Sequence, residues 1–372
     1  MKVLFLTDGL APFVIGGMQQ HSAMMVIHLA PLVEEITVMH CGYPNESPAS
    51  DNDVLGALGS PSNVSVIGFM FTDHSSFPGH YVRASKKYSL NLYNTISKDL
   101  SSFDVVYAQG FTGHSFLGRH KKLVSNLHGL EMFQRSFSLR EKLGKLILRN
   151  LALEILKKSS FVISLGGKLT EILFEIGLKR NRIIISPNGI SADNILPSSH
   201  QNNSSTNSEK LHLIFIGRNE ERKGLHILRK ALSVIQSPLH LTLVGEASPI
   251  ESKSHTIENI GLIKSKDELF KLIDKSHALV VPSLSEGMPT VILEAMARGK
   301  AIIATDVGAV SELVDDSNGK LVPPNDAQEL ANAIKNLGDT DIKKASEQSL
   351  EKVASFTWDE ISNRFLTEMI SY

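Results

Sequence analysis

Cysteine is almost missing from this sequence, because Cys41 is the single one among 372 residues. A lone thiol can form neither an intramolecular disulfide nor a cysteine-based zinc cluster, and such scarcity is typical of a reducing compartment. Long apolar runs are missing as well: nowhere do the roughly 18 apolar residues of a membrane-spanning helix follow one another. The apolar start, residues 3–6, is too short for a secretory signal peptide. We therefore expect a cytoplasmic protein.

The chain also lacks an excess of charge of either sign. Its 38 lysines and arginines face 39 aspartates and glutamates, which argues against a dedicated nucleic-acid-binding protein. The distribution is uneven, however. Residues 1–182 carry a net charge of +5 (19 basic, 14 acidic), and residues 183–372 carry −6 (19 basic, 25 acidic). Because the two halves differ in sign, we expect them to bind different partners.

Short apolar runs separated by helical patterns make up most of the chain, and 372 residues indicate about two domains. The runs do not alternate with polar residues, which predicts parallel strands buried on both faces of a sheet. They occur at residues 3–6, 36–40, 64–67, 105–108, 122–126, 161–165, 211–216, 240–244, 278–281 and 301–305. We predict an α/β fold with two Rossmann-like, doubly wound domains that face each other across a cleft.

Domain boundaries follow from breaks in this pattern. The segment Ser186-Pro187-Asn188-Gly189 punctuates the chain and predicts the connection between the domains. Residues 198–208 are polar and rich in Ser and Asn, which predicts an exposed loop just inside the second domain. We predict an N-terminal domain over residues 1–189, a C-terminal domain over 190–353 and a terminal helix over 354–372.

The most informative segment covers residues 280–314, whose pattern predicts a strand, a loop, a helix and a second strand. Pro289 suits a helix start, because its missing N–H costs nothing there. The helix is predicted from about Thr290 to Ala297. Its first N–H groups, near Thr290 and Val291, are unpaired and carry the positive end of the helix dipole, which makes them a site for a phosphate.

Two glutamates frame this helix start. Glu286 lies in the loop that leaves the strand and can reach a group attached beyond the phosphate. Glu294 lies one turn into the helix, on the face of Thr290, where it can reach a sugar hydroxyl of a nucleotide. Two glutamates at this spacing, taken alone, are more often solvated than functional.

A charged turn precedes the helix that follows the strand at residues 211–216. Arg218 and Lys223 belong to this turn, Gly217–Gly224, and stand at the carboxyl end of that strand. Arginine makes a forked contact with phosphate and lysine supplies a point charge, so the pair could neutralise a diphosphate. A solvated turn is the more common explanation for such a cluster on its own.

Two weaker signals lie in the N-terminal half. Gly16 and Gly17 occupy the first strand-to-helix loop, where glycines let a backbone approach a ligand. They do not form G-x-G-x-x-G, so a dinucleotide fingerprint is absent. His128 follows the strand at residues 122–126 and is expected at the carboxyl edge of the sheet. One histidine among fourteen is more often structural than catalytic, although this position favours a function.

Taken in order, these segments resemble the retaining glycosyltransferases of family four, which have the two-domain GT-B fold. The resemblance covers nearly the whole chain and is strongest from Leu211 to Ala333. It is carried by the E-x7-E block with its E-A-M-A-R-G continuation, the Gly-Gly loop, the S-P-N-G connection and the ending N-G-K-L-V-P-P at 318–324. Three residues depart from the family pattern: Ser191 replaces a common Asp, and Met288-Pro289 replace a common Phe-Gly.

The resemblance implies a nucleotide-sugar donor and a role for each candidate. Glu286 would bind hydroxyls of the donor sugar, and Glu294 would bind the ribose. Arg218 and Lys223 would stabilise the departing nucleoside diphosphate. His128 would contact the donor sugar near the reacting carbon. The backbone would hold the sugar and phosphates at the remaining donor-binding candidates, which are Gly16, Gly17, Gly287, Met288, Pro289, Thr290 and Val291.

The resemblance also implies transfer with retention of anomeric configuration, in which the leaving phosphate oxygen takes the proton of the acceptor hydroxyl. No dedicated carboxylate base is then required, and the main task is to stabilise the departing diphosphate. The strings at 51–53 and 339–341 match the Asp-x-Asp of metal-dependent glycosyltransferases, but neither lies at the end of a clear strand. We expect no divalent metal and no cofactor.

Residues 135–158 are predicted to form a basic, amphipathic helix. Such a helix can lie on anionic lipid or can simply cover the N-terminal sheet, and the pattern leaves both open. Many acceptors of the resembled family are lipid-linked, which favours the membrane and a peripheral location on its inner face. Apolar residues at Trp358, Ile361, Phe365 and Met369 predict a last helix, which by resemblance crosses back onto the N-terminal domain.

We predict a metal-independent, retaining hexosyltransferase whose acceptor is a saccharide or a lipid-linked saccharide. The product is expected to be a cell-surface polysaccharide, a lipopolysaccharide or a glycolipid. An epimerase or phosphorylase on the same fold is one alternative, and a non-catalytic nucleotide-sugar sensor or scaffold is another. A nicotinamide-dependent dehydrogenase is a more distant alternative, because the sequence has no G-x-G-x-x-G motif with a later acidic residue. The sequence identifies neither the base, the sugar nor the acceptor.

Overall fold

The computed structural model describes residues 1–73, 79–197, 210–246 and 249–371. The chain forms two compact units. Unit 1 combines Met1–Asn188 with Trp358–Tyr372, and unit 2 is Gly189–Thr357. The last helix was predicted from residue 354, whereas the chain enters it at Trp358, after a short 3₁₀ turn at Ala354–Phe356. The polar loop predicted at 198–208 lies outside the described residues.

Unit 1 is built on a seven-stranded parallel sheet in the order β3-β2-β1-β4-β5-β6-β7. The strands are β1 Lys2–Leu6, β2 Glu35–Cys41, β3 Val64–Phe69, β4 Val105–Gln109, β5 Leu123–Asn126, β6 Phe161–Ser164 and β7 Ile183–Ile185. The helices are α1 Gly17–Leu29, α2 Asp51–Ala57, α3 His80–Ile96, α4 Leu139–Lys158, α5 Gly167–Glu175 and, from the end of the chain, α12 Trp358–Ser371.

The core of unit 1 lies on both faces of this sheet. Alternate residues of β1 point to opposite sides, as the period of a strand requires. Val3 and Phe5 join the cluster that also contains Phe365 of α12. Leu4 and Leu6 join the cluster on the other face, with residues of α3 such as Leu92. A β1 buried on both sides explains why its sequence is continuously apolar.

Unit 2 is built on a six-stranded parallel sheet in the order β10-β9-β8-β11-β12-β13. The strands are β8 His212–Ile216, β9 His240–Val244, β10 Thr256–Gly261, β11 Ala278–Val281, β12 Ala301–Thr305 and β13 Gly319–Val322. The helices are α6 Leu225–Val234, α7 Lys266–Lys275, α8 Thr290–Ala297, α9 Val310–Leu313, α10 Ala327–Lys335 and α11 Asp339–Val353.

The predicted α/β class with doubly wound parallel sheets is confirmed, and each predicted strand is present with its ends shifted by at most two residues. Three strands were not predicted: β7, β10 and β13. All three lie at edges of their sheets. The predicted basic helix also begins later than expected, because the Ser138 hydroxyl accepts the N–H of Glu141 and caps α4.

Each sheet has one point where the order of its strands reverses. In unit 1 this switch point lies between β1 and β4, and in unit 2 between β8 and β11. Doubly wound sheets bind ligands outside the carboxyl ends of the strands at such points. The loops that follow these four strands are therefore the places to look for a site.

The last helix, α12, packs against the first helix of unit 1. Nδ1 of His28 on α1 lies 2.7 Å from a carboxylate oxygen of Asp359. The ring of Phe365 meets the edge of Tyr107 at 5.3 Å between centroids, in the core. Trp358, at the start of α12, is buried against His21 of α1. The end of the chain is therefore an integral part of unit 1.

Candidate functional site

Glu286 and Lys223 form an ion pair at the switch point of unit 2. Lys223 lies in the loop after β8, and Glu286 lies in the loop after the neighbouring strand β11. Lys223 Nζ is 2.6 Å from Oε1 of Glu286, which also accepts a hydrogen bond of 2.8 Å from the Ser283 hydroxyl. Glu286 is only 6% exposed. The carboxylate is therefore held in one orientation by partners from two loops.

A second cation, which was not singled out from the sequence, completes this cluster. Arg222 Nη1 lies 3.4 Å from Oε2 of Glu286, and Arg222 Nε lies 2.5 Å from Glu220. Arg218, by contrast, is 67% exposed and pairs with Glu220 at 2.9 Å. The signal for Arg222 was its place beside Lys223 in the same turn. Of the three cations, Arg222 and Lys223 contact the buried glutamate.

Close backbone approaches fix the loops that carry the cluster. The N–H of Leu284 donates to the carbonyl of Arg222 at 2.7 Å and so joins the two loops. Gly308, after β12, has φ +56°, and a Cβ there would lie 2.3 Å from the carbonyl oxygen of Glu286. The N–H of Ala309 donates to the carbonyl of Gly287 at 2.7 Å. Glycine is required at 308 because the Glu286 loop leaves no room for a side chain.

Helix α8 begins directly after this loop. Pro289 is its N-cap residue, and no side chain caps the helix. The first N–H groups of a helix lack intrahelical acceptors and carry the positive end of the dipole, so this start suits an anion. Thr290 at the tip is exposed, whereas Met288 and Pro289 are buried. Gly287 contributes its carbonyl to Ala309, as described above.

Glu294 lies one turn along α8 and is partly exposed. Burial raises the pKa of its carboxyl above the usual value, and the charge of Lys266 opposes this shift. A carboxyl of this kind accepts hydrogen bonds from sugar hydroxyls. The structure thus places Glu286, Glu294, Lys223, Arg218 and the start of α8 on the loops and helices at one edge of unit 2.

The remaining predicted site residues belong to unit 1. Gly16 and Gly17 start α1, and no side chain caps that helix either. Asp8, which was not singled out from the sequence, lies between them and the end of β1. Its Oδ1 accepts a hydrogen bond of 3.3 Å from Gln19, and burial raises its pKa to about 6. A partly buried carboxylate therefore lies at the switch point of unit 1.

His128 follows β5 with φ +52°, and its N–H donates to the Asn126 side chain at 2.9 Å. Its ring meets that of His21 edge-on, at 4.7 Å between centroids. Burial, with a smaller contribution from His21, holds the pKa of His128 well below its usual range. His128 Nε2 is buried and has no hydrogen-bond partner among the described residues. The ring is therefore neutral at pH 7 and can exchange a hydrogen bond with a ligand.

The environment of His21 explains part of this arrangement. Nδ1 of His21 lies 3.1 Å from Oδ1 of Asn188, and Nε2 lies 3.4 Å from the Tyr107 hydroxyl. Burial lowers the pKa of His21 to about 4. His21 is thus a neutral side chain that joins α1, β4 and the end of the first segment of unit 1.

The two Asp-x-Asp strings lie at helix starts. Asp51 and Asp53 are in the first turn of α2, where Asp53 exchanges hydrogen bonds with the N-cap residue Ser50. Asp339 and Asp341 are in the first turn of α11. Carboxylates there complement the helix dipole. Within the described residues, no group of three His, Cys, Asp or Glu side chains could hold a metal ion.

A surface pocket of about 340 Å³ lies elsewhere in unit 2, beside the edge strand β13. Residues of β13, α10 and α11 line it, including Gly319, Asn332 and Lys344. None of the predicted site residues is among its lining residues. Its position at the sheet edge, away from the carboxyl ends of β8 and β11, separates it from the cluster around Glu286.

Comparison with known families matches both halves of the chain. Two doubly wound parallel sheets, one with cations and an uncapped helix start at its switch point, fit the GT-B fold. Residues 15–194 match the family described as Glycosyltransferase Family 4, and residues 210–339 match that described as Glycosyl transferases group 1. The chain belongs to this family of glycosyltransferases.

Individual proteins are similar over different lengths. TuaC of Bacillus subtilis (strain 168), a glycosyltransferase assigned provisionally to teichuronic acid biosynthesis, is 35% identical over 124 residues, which are 32% of this chain and 31% of TuaC. The first curated relatives are matched over 31 to 51% of their own lengths, so the chain spans a third to a half of them. No helix in the described part of the chain could cross a membrane.

Solved structures are similar over the whole chain. Sucrose-phosphate synthase from Thermosynechococcus elongatus has a TM-score of 0.74 at 18% identity and covers 100% of this chain and 98% of its own. HepE of Anabaena in complex with UDP has a TM-score of 0.67 at 20% identity and covers 100% of both chains. At these identities the likeness establishes the fold.

Proposed function

We propose that the chain is a retaining, metal-independent glycosyltransferase that moves a sugar, of the hexose type, from a nucleotide-sugar donor to a hydroxyl of its acceptor. The observation that carries the proposal is the buried Glu286 carboxylate, held by Lys223 and Arg222 at the switch point of unit 2. A scaffold that bound no nucleotide sugar would have no need of two cations and a carboxylate fixed together at this point. The cluster therefore supports a glycosyltransferase in preference to a non-catalytic scaffold.

Each residue of unit 2 has a task in this reaction. The cations Lys223, Arg222 and Arg218 neutralise the charge that develops on the departing diphosphate, and the start of α8 adds its dipole. Glu286 accepts hydrogen bonds from hydroxyls of the donor sugar, and Glu294 from those of the ribose. Because these cations are covalently part of the chain, a divalent metal is not required for charge neutralisation.

The bond changes follow from this arrangement. The bond between the anomeric carbon and the phosphate oxygen breaks, and a bond from that carbon to the acceptor oxygen forms on the same face. The proton of the acceptor hydroxyl passes to the departing phosphate oxygen, so the products are the glycoside and a nucleoside diphosphate. Neutral His128 is suited to a hydrogen bond with the donor sugar and not to proton donation, because its pKa lies well below its usual range.

Unit 1 is proposed to bind the acceptor, a saccharide or a lipid-linked saccharide. Support comes from Asp8, whose carboxylate can accept hydrogen bonds from hydroxyls at the switch point of unit 1. The relative TuaC is a glycosyltransferase assigned provisionally to teichuronic acid biosynthesis, which supports a product among cell-surface polysaccharides, lipopolysaccharides or glycolipids. We place the enzyme in the cytoplasm, in part on the inner face of the membrane.

A thermal-shift experiment tests the donor site. Purified protein is heated with a panel of nucleoside diphosphates and nucleotide sugars, with UDP first because HepE was solved with UDP. A ligand at ~100 times its dissociation constant stabilises the fold by roughly 2.7 kcal/mol. We expect a shift with one base that survives a chelator. The absence of a shift with every nucleotide of the panel would contradict the proposed donor site. A shift that a chelator abolishes and Mn²⁺ restores would contradict metal independence.

A product analysis tests the reaction class. The donor identified by the thermal shift is incubated with candidate saccharides, and the anomeric configuration of the product is read by NMR. Retention is expected. An inverted anomer would contradict the proposed stereochemistry, whereas a changed sugar without any acceptor would indicate the epimerase alternative.

A further inference from the structure

Helix α4 exposes large apolar side chains in its first half. Leu139, Leu143, Leu146 and Ile147 are 82%, 63%, 59% and 39% exposed. At about 100° per residue, the four side chains fall within an arc of about 100° on one face of the helix. A surface helix normally presents polar residues to solvent. A contiguous apolar ridge of this kind therefore marks a contact surface. We refer to these four residues as the α4 ridge.

The second half of α4 shows that the ridge faces away from the core. Ala152, Ile155 and Leu156 are buried, and at about 100° per residue they lie roughly 130–170° around the helix from the middle of the ridge. The Ser138 cap fixes where the helix starts. The ridge is therefore a separate stripe on a helix that has already buried its core-facing residues in unit 1.

Basic residues flank the ridge on both edges. By the same helical geometry, Arg140 lies beside one edge and Lys142 beside the other, and both are exposed. Glu141 lies on the far side and is paired with Lys145 at 2.7 Å. The apolar stripe is thus bordered by positive charge, while the nearest acidic side chain is neutralised within the helix.

The neighbouring helix α3 extends the positive charge. Lys86 of α3 and Glu154 of α4 form an ion pair of 3.9 Å, so the two helices lie side by side. Together they contain nine lysines and arginines and two glutamates. The second glutamate, Glu154, also pairs with Lys158 at 2.9 Å. An apolar ridge within such a field complements a negatively charged apolar surface.

We propose that the α4 ridge docks unit 1 onto an anionic lipid bilayer. The four apolar side chains enter the boundary between headgroups and acyl chains, and the flanking cations contact the acidic headgroups. An anionic lipid surface fits the ridge better than a second copy of this chain, because a second basic ridge would repel the first. The inference rests on the proposed function in one respect, namely that a lipid-linked acceptor lies at such a surface.

Vesicle sedimentation tests the proposal on the full chain without donor or acceptor. Vesicles contain phosphatidylcholine alone or phosphatidylcholine mixed with phosphatidylglycerol. The ridge variant is the double substitution Leu143→Gln with Leu146→Gln, since the helix propensity of glutamine is close to that of leucine. Its matched control is Leu262→Gln with Ile370→Gln, because Leu262 is 62% and Ile370 71% exposed elsewhere on the chain. A charge variant replaces Arg140 and Lys142 by Gln.

We expect salt-sensitive binding to the anionic vesicles and at least about tenfold weaker binding of the ridge variant. The control should bind like the unchanged chain, and the charge variant should lose its preference for anionic lipid. Equal binding of the ridge variant and the control would overturn the proposal. The proposal would also be overturned if the unchanged chain formed a concentration-dependent dimer in analytical ultracentrifugation and the ridge variant alone did not.

The same samples are tested for the nucleotide-induced thermal shift described above. A chain that binds nucleotide but ignores vesicles would refute the docking ridge and leave the glycosyltransferase proposal intact. A chain that binds vesicles but no nucleotide would support the docking ridge and contradict the glycosyltransferase proposal. Unchanged melting temperatures of the variants establish that they are folded, so each result bears on the surface itself.

Discussion

Lys223 Nζ lies 2.6 Å from Oε1 of Glu286, so the two groups proposed for the phosphate and the sugar hold each other before any ligand arrives. Ser283 and Arg222 keep the carboxylate in place as well. The pair therefore acts both in the stability of unit 2 and in the proposed donor site. Substitutions can separate the two contributions.

We expect Lys223→Ala to lower kcat/KM at least about 100-fold, because the departing diphosphate loses a preorganised cation. It should also lower the free energy of unfolding by roughly 1–3 kcal/mol, because Glu286 loses its closest cation. Adding Glu286→Gln should restore the stability but not the activity. The control is Lys230→Ala, an exposed lysine on α6. Turnover close to that of the unchanged enzyme by folded Lys223→Ala would remove Lys223 from the mechanism.

Gly308→Ala is expected to damage the donor site through the backbone. A Cβ at 308 would lie 2.3 Å from the carbonyl oxygen of Glu286, and φ is +56°. Gly261→Ala is the matched control, since Gly261 has φ +77° but nothing within 4 Å of its added Cβ. We expect roughly 1–2 kcal/mol of destabilisation for the control and clearly more for Gly308→Ala, with a weaker nucleotide shift. Equal losses, measured by urea unfolding, would show that the close approach is unimportant.

Asp8 should make the stability of unit 1 depend on pH. Its pKa is raised to about 6 by burial, so the folded state binds more protons than the unfolded state between about pH 4 and 6. The free energy of unfolding contributed by Asp8 therefore falls as the pH rises through this window. Asp8→Asn should be more stable than the unchanged chain by roughly 2–3 kcal/mol near pH 8 and similar to it near pH 4.

Urea unfolding at both pH values, with the exposed Asp99→Asn as a comparison, measures this difference. If Asp8→Asn is no more stable than the unchanged chain at the higher pH, the carboxylate has a compensating partner. If the acceptor binds Asp8, the substitution Asp8→Asn should also raise the KM for the acceptor and leave the KM for the donor unchanged.

Phe365→Ala should destabilise unit 1 by about 3–5 kcal/mol, because it removes a buried aromatic ring from the core that includes Tyr107. Ile370→Ala is the control on the same helix, since Ile370 is exposed, and it should cost less than about 0.5 kcal/mol. Thermal unfolding of both variants measures the difference. A loss for Phe365→Ala no larger than that of the control would mean that α12 contributes little to unit 1.

The central strands could be predicted from the sequence, because a strand buried on both faces is continuously apolar, as in β1, β8 and β11. Of the four edge strands, β3 was predicted, whereas β7, β10 and β13 were missed. β10 reads T-I-E-N-I-G and is mostly exposed, and β13 reads G-K-L-V and carries a charge. Their pairing is a consequence of the neighbouring strand and not of their own composition.

The candidate site divides in the same way. Glu286 was found from the E-x7-E block and Lys223 from the charged turn after β8, and the structure brings the two side chains into contact. Arg222 was overlooked because a charged turn does not reveal which of its side chains folds inward. Asp8 was overlooked because one aspartate after a strand has no distinguishing neighbour in the sequence. The α4 ridge required knowledge of which side of the helix meets the core.

The chain leaves unit 1 at Asn188 and returns at Trp358, and both residues contact His21. Directly beyond them, Ile190 and Thr357 form a parallel bridge in unit 2. A ribosome therefore completes all of unit 2 before it makes the helix that fills the core of unit 1. The core of unit 1 that contains Phe365 therefore cannot be completed until all of unit 2 has been synthesised.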